Sequence, residues 1–186
     1  GADTLLGGGP RDLLLGDALR LTTFARGGDA SIAGGAGHGA ETTPADLYGD
    51  ARDMLLGARG GNDVLRGGAE ARSRLFGDAG WLDAGTQGGA DTITGGAGTA
   101  AIRAVNEAYG DAESITGAVI CGDDRMVAGA RADNLFYGDA RFILGGPMYG
   151  DDLMIAAGAS TFYGDAVTLA GPGGADTLLA AGADLV

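Results

Sequence analysis

The sequence contains no lysine and only one cysteine, one histidine and one tryptophan among its 186 residues. A single cysteine cannot form a disulfide within the chain, and Cys121 directly follows the apolar residues Val119 and Ile120. Free cysteine in an apolar run behaves as a small hydrophobic side chain. We therefore expect Cys121 to be buried, and to act neither as a nucleophile nor as a metal ligand.

The familiar catalytic patterns are also missing. The histidine, His38, lies in the glycine-rich run from Gly34 to Gly39, where an exposed loop residue is expected. Nucleophilic catalysis needs a base beside the nucleophile, and neither G-x-S-x-G nor H-E-x-x-H occurs. No apolar run reaches the ~18 residues of a transmembrane helix. We expect a protein that is not an enzyme and does not insert into membranes.

Basic residues are scarce. Twelve arginines stand against 21 aspartates and 4 glutamates, and the net charge is −13. A chain this acidic repels nucleic acid and anionic membrane surfaces, so neither is an expected partner. Aspartate suits tight turns and is a preferred ligand for hard cations. Its large excess over glutamate indicates cation binding rather than acidity that serves solubility alone.

Large apolar side chains are few, because glycine contributes 39 residues and alanine 35. They cannot fill a thick globular core, but they can fill a thin one in which each short strand supplies one or two inward residues. Glycine every few residues also prevents helix propagation. The composition therefore favours short strands around a narrow core.

An internal repeat recurs along the chain. An aromatic residue or leucine followed by Gly-Asp-Ala, here called the first motif, occurs six times. Its aspartates are separated by 33, 28, 33, 28 and 26 residues. They are Asp17, Asp50, Asp78, Asp111, Asp139 and Asp165.

A second motif follows the first: small residues, an aspartate, one variable residue and an aliphatic residue. The clearest copies are Gly60–Gly68 and Gly88–Gly96. In four consecutive units the second aspartate comes 13 residues after the first, a constancy that excludes chance. From the second unit onward the second-motif aspartates are Asp63, Asp91, Asp124, Asp152 and Asp176.

A third apolar patch between the motifs, such as Phe142–Leu144 or Thr168–Leu169, brings the candidate strands in each unit to three. We predict an all-β, right-handed parallel β-solenoid, a β-roll or β-helix, of about six stacked coils of 26–33 residues that spans residues 1–186 as a single domain. Three strands per unit slightly favour a three-sided coil over a flattened roll. Segments 37–44 and 100–108 are expected to loop out on one side of the stack.

The second motif resembles the calcium-binding nonapeptide G-G-x-G-x-D-x-U-x of the RTX (repeats-in-toxin) family, where U is a large aliphatic residue. Gly60–Arg66 and Gly88–Thr94 carry the match best, and other copies depart from the consensus. The resemblance implies a secreted or cell-surface protein, exported unfolded by type I secretion, whose repeats fold on binding Ca²⁺. Such modules occur in adhesins, surface layers and secreted enzymes.

Both sets of aspartates are candidate calcium ligands, the second-motif set foremost. Calcium takes six to eight oxygens from carboxylates and backbone carbonyls, and glycine lets the chain bring carbonyls close together. Roughly six Ca²⁺ would nearly neutralise the net charge of −13. Without them, carboxylates stacked about 4.8 Å apart would repel one another. We expect the ion-free chain to be loosened or unfolded.

The aromatic residues of the first motif, such as Tyr48 and Phe76, are expected to stack on their equivalents in neighbouring coils; a row that binds surface polysaccharide is the alternative. The first and last residues given belong to repeat-like sequence, so we expect further repeats to stack end to end with the chain, as in a filament or matrix. The rival interpretation is a non-catalytic, calcium-binding repeat region of a secreted hydrolase or toxin.

Overall fold

The computed structural model describes residues 1–39, 42–169 and 171–180, and within these ranges the chain forms strands and no helix. The strands lie in three parallel sheets of seven, six and five strands, here called sheets 1, 2 and 3. Each strand pairs with the equivalent strands of the neighbouring repeats, and the first and last strand of each sheet have one such neighbour. The predicted parallel β-solenoid is confirmed, and the three sheets make it three-sided.

The chain visits the sheets in the order 1, 2, 3. Sheet 1 contains β1 (Thr4–Leu6), β4 (Ser31–Ala33), β7 (Val64–Arg66), β10 (Thr92–Thr94), β13 (Arg125–Val127), β16 (Leu153–Ala156) and β18 (Thr177–Ala180). Sheet 2 contains β2 (Leu13–Leu15), β5 (Ala45–Tyr48), β8 (Arg72–Phe76), β11 (Ala104–Tyr109), β14 (Ala132–Tyr137) and β17 (Ala159–Tyr163). Sheet 3 contains β3 (Ala18–Leu21), β6 (Ala51–Met54), β9 (Ala79–Leu82), β12 (Ala112–Thr116) and β15 (Ala140–Leu144).

The core is thin and is built from ladders of identical register. In sheet 1, Leu65 pairs with Ile93 and Ile93 with Met126, and all three side chains are fully buried. Leu75 of sheet 2 and Leu82 of sheet 3 belong to the equivalent ladders of the other two sides. Burying an aliphatic side chain of this size contributes about 1.5–3 kcal/mol, so each coil adds a small, repeated increment of stability.

The unequal repeat lengths arise at one corner. The connection from sheet 1 to sheet 2, here corner 1–2, spans residues 34–44 and 95–103 in the long coils but only 67–71 and 128–131 in the short ones. The two long connections meet, because a Cβ added to Gly39 would lie 2.4 Å from Cγ2 of Ile102. The expectation that both insertions lie on one side is confirmed.

Two details of the prediction were wrong. Segment 100–108 is only partly looped out, since β11 begins at Ala104, where its residues pair in register with those of β14 and the inward side chains are buried. Thr168–Leu169 forms no strand. The segment between Asp165 and Asp176 is two residues shorter than in the four preceding coils and contains Pro172, which has no N–H to donate to a ladder.

Candidate metal centre

The first-motif aspartates lie at the corner between sheets 2 and 3, here corner 2–3. Tyr48 ends β5, Gly49 and Asp50 make the corner, and Ala51 begins β6. The side chain of Asp50 points into the solenoid and is completely buried. The same holds for Asp78, Asp111 and Asp139, while Asp165 is 8% exposed and Asp17 is half-buried.

The second-motif aspartates lie at the corner between sheets 3 and 1, here corner 3–1, directly before the strands of sheet 1. Asp63 is 1% exposed. It precedes the buried Leu65 by two residues, and side chains two apart on a strand share a face. Asp91, Asp124 and Asp152 are buried in the same way, and Asp176 is half-buried. The structure therefore brings both predicted sets together inside the solenoid.

One oxygen of each second-motif carboxylate accepts a hydrogen bond from a backbone N–H of the coil before it. The N–H of Asp63 donates to Oδ1 of Asp91 at 2.6 Å. The N–H of Asp91 donates to Asp124 at 2.7 Å, and the same contact joins Asp124 to Asp152 and Asp152 to Asp176. Hydrogen bonds from backbone amides to carboxylates are charge-assisted and fix the carboxylate orientation.

One oxygen of each first-motif carboxylate is held within its own coil. The N–H of Gly89, eleven residues further on, donates to Oδ1 of Asp78 at 2.9 Å. The equivalent bonds run from Gly122 to Asp111 and from Gly150 to Asp139. Corners 2–3 and 3–1 of each coil are thus tied together through the carboxylates.

In most of these carboxylates the second oxygen has no such partner. Seven Oδ2 atoms are shielded from solvent and form no hydrogen bond: those of Asp63, Asp78, Asp91, Asp111, Asp124, Asp139 and Asp152. A buried polar atom left unsatisfied costs about 1–3 kcal/mol, and more when it is charged. These atoms form a continuous column, here called the aspartate column, that requires neutralisation.

Backbone oxygens converge on the same column. A Cβ built on Gly49 would lie 1.7 Å from the carbonyl oxygen of Gly77 and 2.2 Å from Oδ2 of Asp63. At Gly77 the corresponding atoms are the carbonyl of Gly110 and Oδ2 of Asp91, at 1.6 and 2.2 Å. Carboxylate and carbonyl oxygens are the ligands that calcium takes. The donor set therefore fits a hard cation, and glycine at these positions lets the oxygens approach one another closely.

Burial raises the pKa of the column carboxyl groups and of Asp50 beside them. Loss of hydration, reinforced by nearby carboxylates, raises the pKa of Asp63 to about 7 and that of Asp50 to about 8. Desolvation is also the main cause of a pKa raised well above its usual range for Asp78, Asp91, Asp111 and Asp124. At neutral pH the column must therefore hold protons or cations.

Glycine is not found at every level of the column, because Cys121 and Tyr149 stand three residues before Asp124 and Asp152. Gly60 and Gly88 stand three residues before a second-motif aspartate, whereas Cys121 occupies that position before Asp124. Cys121 is buried, as the sequence predicts. Its Sγ and one carboxylate oxygen each of Asp111 and Asp139 lie within 4.8 Å of one another. In the described part of the chain, this is the one level with three side-chain ligand atoms so close together.

Corner 1–2 carries a neutral ladder that the sequence analysis missed. Asn106 is buried; its Nδ2 donates to the carbonyl of Gly96 and to Oδ1 of Asn134, and its Oδ1 accepts from the N–H of Gly96. An amide side chain supplies both donors and an acceptor, so it is satisfied where a carboxylate is not. The signal was available: Asn106 and Asn134 each precede a first-motif aspartate by five residues.

The aromatic row stacks on itself. Ring centroids of Tyr48, Phe76, Tyr109 and Tyr137 follow one another at 4.4, 5.0 and 5.2 Å, with interplanar angles of 5–11°. Phe76 and Tyr109 are fully buried. The predicted stacking is confirmed, and since these ring faces are covered by one another, the row does not favour the polysaccharide alternative.

The remaining predictions concern isolated features. His38 is exposed in the loop at corner 1–2, as expected. No helix in the described ranges has the length and hydropathy needed to cross a membrane. Neither finding assigns a chemical role.

Comparison of the chain with protein-family models, with curated proteins and with solved structures finds no significant match. The likeness to RTX repeats therefore rests on the motifs alone, and the function must be argued from the aspartate column.

Proposed function

We propose that this chain is a calcium-stabilised structural module, a stiff three-sided solenoid that folds when Ca²⁺ enters the aspartate column. The observation that carries the proposal is the set of seven buried Oδ2 atoms without a hydrogen-bond donor. Both motifs would hold the ions through aspartates such as Asp63 and Asp78, together with carbonyls such as that of Gly77. Bound calcium would supply positive charge to a column that is otherwise acidic.

The arrangement of the donors supports ions shared between coils. Each second-motif carboxylate is tied through Oδ1 to the backbone of the preceding coil, while its Oδ2 lies beside a first-motif glycine. An ion bound there would contact oxygens from successive coils and join them. Ion binding would then be linked to stacking, and so to folding.

The setting we propose is the outside of the cell, as part of a secreted or cell-surface protein. Extracellular modules bind calcium with dissociation constants of about 10⁻⁴–10⁻³ M, a range that keeps the chain unfolded where calcium is scarce. Within such a protein the module would serve as a non-catalytic spacer in an adhesin, filament or matrix, or as the repeat region of a secreted hydrolase or toxin.

Protons are the specific alternative to calcium, because the raised pKa values would also be met by carboxyl groups that stay protonated. Calorimetric titration with CaCl₂, paired with circular dichroism in EDTA and in millimolar CaCl₂ at pH 7.4, separates the two. We expect several ions per chain and a large gain in β-structure or melting temperature. Coincident spectra and melting curves would refute the calcium proposal and leave protons as the neutralising species.

A matched variant tests whether the column is the site. Asp124→Asn removes a charge from the column, whereas Asp123→Asn removes the same charge one residue earlier, where Asp123 accepts from the N–H of Asp151 in an exposed ladder. Asn62 accepts from Ala90 in the same way further up that ladder, so asparagine fits there. We expect calcium stoichiometry to fall only in Asp124→Asn; equal loss in both variants would place the ions elsewhere.

A further inference from the structure

Cys121 introduces sulfur into a column otherwise lined by oxygen. At the equivalent positions of the two preceding coils, a Cβ on Gly60 would lie 1.7 Å from Oδ1 of Asp78, and one on Gly88 would lie 1.8 Å from Oδ1 of Asp111. Those coils have room only for glycine. At Cys121 the chain accommodates a side chain, and its thiol lies between the carboxylates of two successive coils.

Those two carboxylates have unused ligand atoms. Oδ2 of Asp111 and Oδ2 of Asp139 are shielded from solvent and accept no hydrogen bond, and both residues are completely buried. Their other oxygens are occupied by the N–H groups of Gly122 and Gly150, at 2.8 and 2.9 Å. One carboxylate oxygen of each residue lies close to the thiol, so the three side chains are a preformed group of donors in a dry interior.

The donor chemistry is not that of calcium. Calcium takes oxygen ligands, whereas a thiolate with two carboxylates suits a tetrahedral zinc-like ion, with bonds of about 2.0–2.3 Å. Ligand atoms that lie within 4.8 Å of one another reach such an ion after a small contraction. A metal also deprotonates a coordinating thiol outright, which burial alone would not do.

We propose that the Cys121 level of the column is a site for one thiophilic divalent cation, of the zinc and cadmium class, ligated by Cys121, Asp111 and Asp139. This inference rests on the proposed function, because it assigns a different ion to one level of the same column. The solenoid would then carry two kinds of site, oxygen-only levels for calcium and one mixed level.

The test uses Cd²⁺ as the probe, added to the full chain in saturating CaCl₂, with the ultraviolet cadmium–thiolate charge-transfer band as the readout. We expect the band to reach its plateau at one equivalent of Cd²⁺ and to be removed by Zn²⁺ in competition. Asp111→Asn and Asp139→Asn should weaken Cd²⁺ binding by at least about tenfold, while Asp123→Asn should leave it unchanged. Absence of the band, or a band whose affinity ignores both column variants, overturns the proposal.

Two further variants keep the test independent of folding. Cys121→Gly restores the residue found at Gly60 and Gly88, and Cys121→Ser keeps the side-chain size. Both should lose the band and one equivalent of Cd²⁺ while retaining calcium-dependent folding. If the band forms but calcium has no effect on folding, the calcium module fails and the thiolate site stands. If calcium acts and the band is absent, the reverse holds.

Discussion

The carboxylate of Asp63 occupies the space in which a side chain on Gly49 would begin. A Cβ built on Gly49 would lie 2.2 Å from Oδ2 of Asp63, closer than any real contact of a Cβ atom. The two residues belong to different motifs at different corners of one coil. Each Gly-Asp pair is therefore explained by the other: the glycine of one motif makes room for the aspartate of the next.

Filling that space should be destabilising. Gly49→Ala would place a methyl group against the carbonyl of Gly77 and the Asp63 carboxylate, so we expect a loss of about 3 kcal/mol or more in the free energy of unfolding. Gly146→Ala is the matched control, since a Cβ there meets nothing within 4 Å. Chemical denaturation of both variants in CaCl₂ gives the comparison, and equal stability would contradict the packing described for Gly49.

The effect on stability of removing one column carboxylate should change sign when calcium is added. In EDTA at pH 7.4, Asp91→Asn replaces a desolvated carboxyl group by a neutral amide, and we expect the melting temperature to rise. In millimolar CaCl₂ the same change removes a ligand and should lower stability by about 2–3 kcal/mol. Differential scanning calorimetry in both buffers tests this, with Asp123→Asn as the control. A shift of the same sign in both buffers would argue against ions at Asp91.

Stability of the calcium-free protein should fall as pH rises. The folded pKa values of Asp63 and Asp139 are about 7, that of Asp50 about 8 and that of Asp152 about 9, all raised chiefly by desolvation from an ordinary value of 3.8. At a pH between the ordinary value and the raised values, the folded state binds more protons than the unfolded state. The stabilisation from these carboxyl groups is therefore complete below pH ~4 and is lost towards pH 9. Denaturation in EDTA at pH 5 and pH 8.5 should show greater stability at pH 5.

Calcium should displace those protons. Titration near pH 7 in two buffers of different ionisation enthalpy is expected to show proton release on binding, and calcium affinity should increase with pH. Binding heats that do not depend on the buffer would show that the column was already ionised, which would contradict proton uptake by its buried carboxyl groups.

The asparagine ladder should be insensitive to calcium. Asn106→Ala would leave the N–H and carbonyl of Gly96 without their side-chain partners in a buried corner, so we expect a loss of about 2–4 kcal/mol. Asn62→Ala, which removes one exposed bond to Ala90, should cost less than about 1 kcal/mol. Both losses should be equal in EDTA and in CaCl₂. If the loss of stability in Asn106→Ala depended on calcium, the structure of corner 1–2 would also depend on bound calcium.

The sequence predicted the stack well because the repeat itself specifies register. The offset of 13 residues between Asp50 and Asp63 is constant in the next three units, and this constancy is what equivalent strands need in order to pair in the same register. The start of β11 at Ala104 was missed because its first inward residues, Ala104, Asn106 and Ala108, include no large apolar side chain, and only pairing with β14 shows that Asn106 faces inward.

The burial of the candidate site was harder to predict from the sequence. Aspartate before a strand is usually assigned to an exposed turn, although its spacing of two from the inward Leu65 already places Asp63 on the buried face. That neighbouring carboxylates would share one interior column could not be derived from sequence, because it depends on how closely corners 2–3 and 3–1 approach. The close approach of Gly49 and Asp63 supplies this information.

The bond from the N–H of Asp63 to the carboxylate of Asp91 gives the stack a direction, since every such bond along the ladder points the same way. A unit inserted upside down would set acid against acid and leave two amides facing each other. Gene duplication could therefore lengthen this protein only by adding whole units head to tail. Every added unit must keep the same orientation along the solenoid axis.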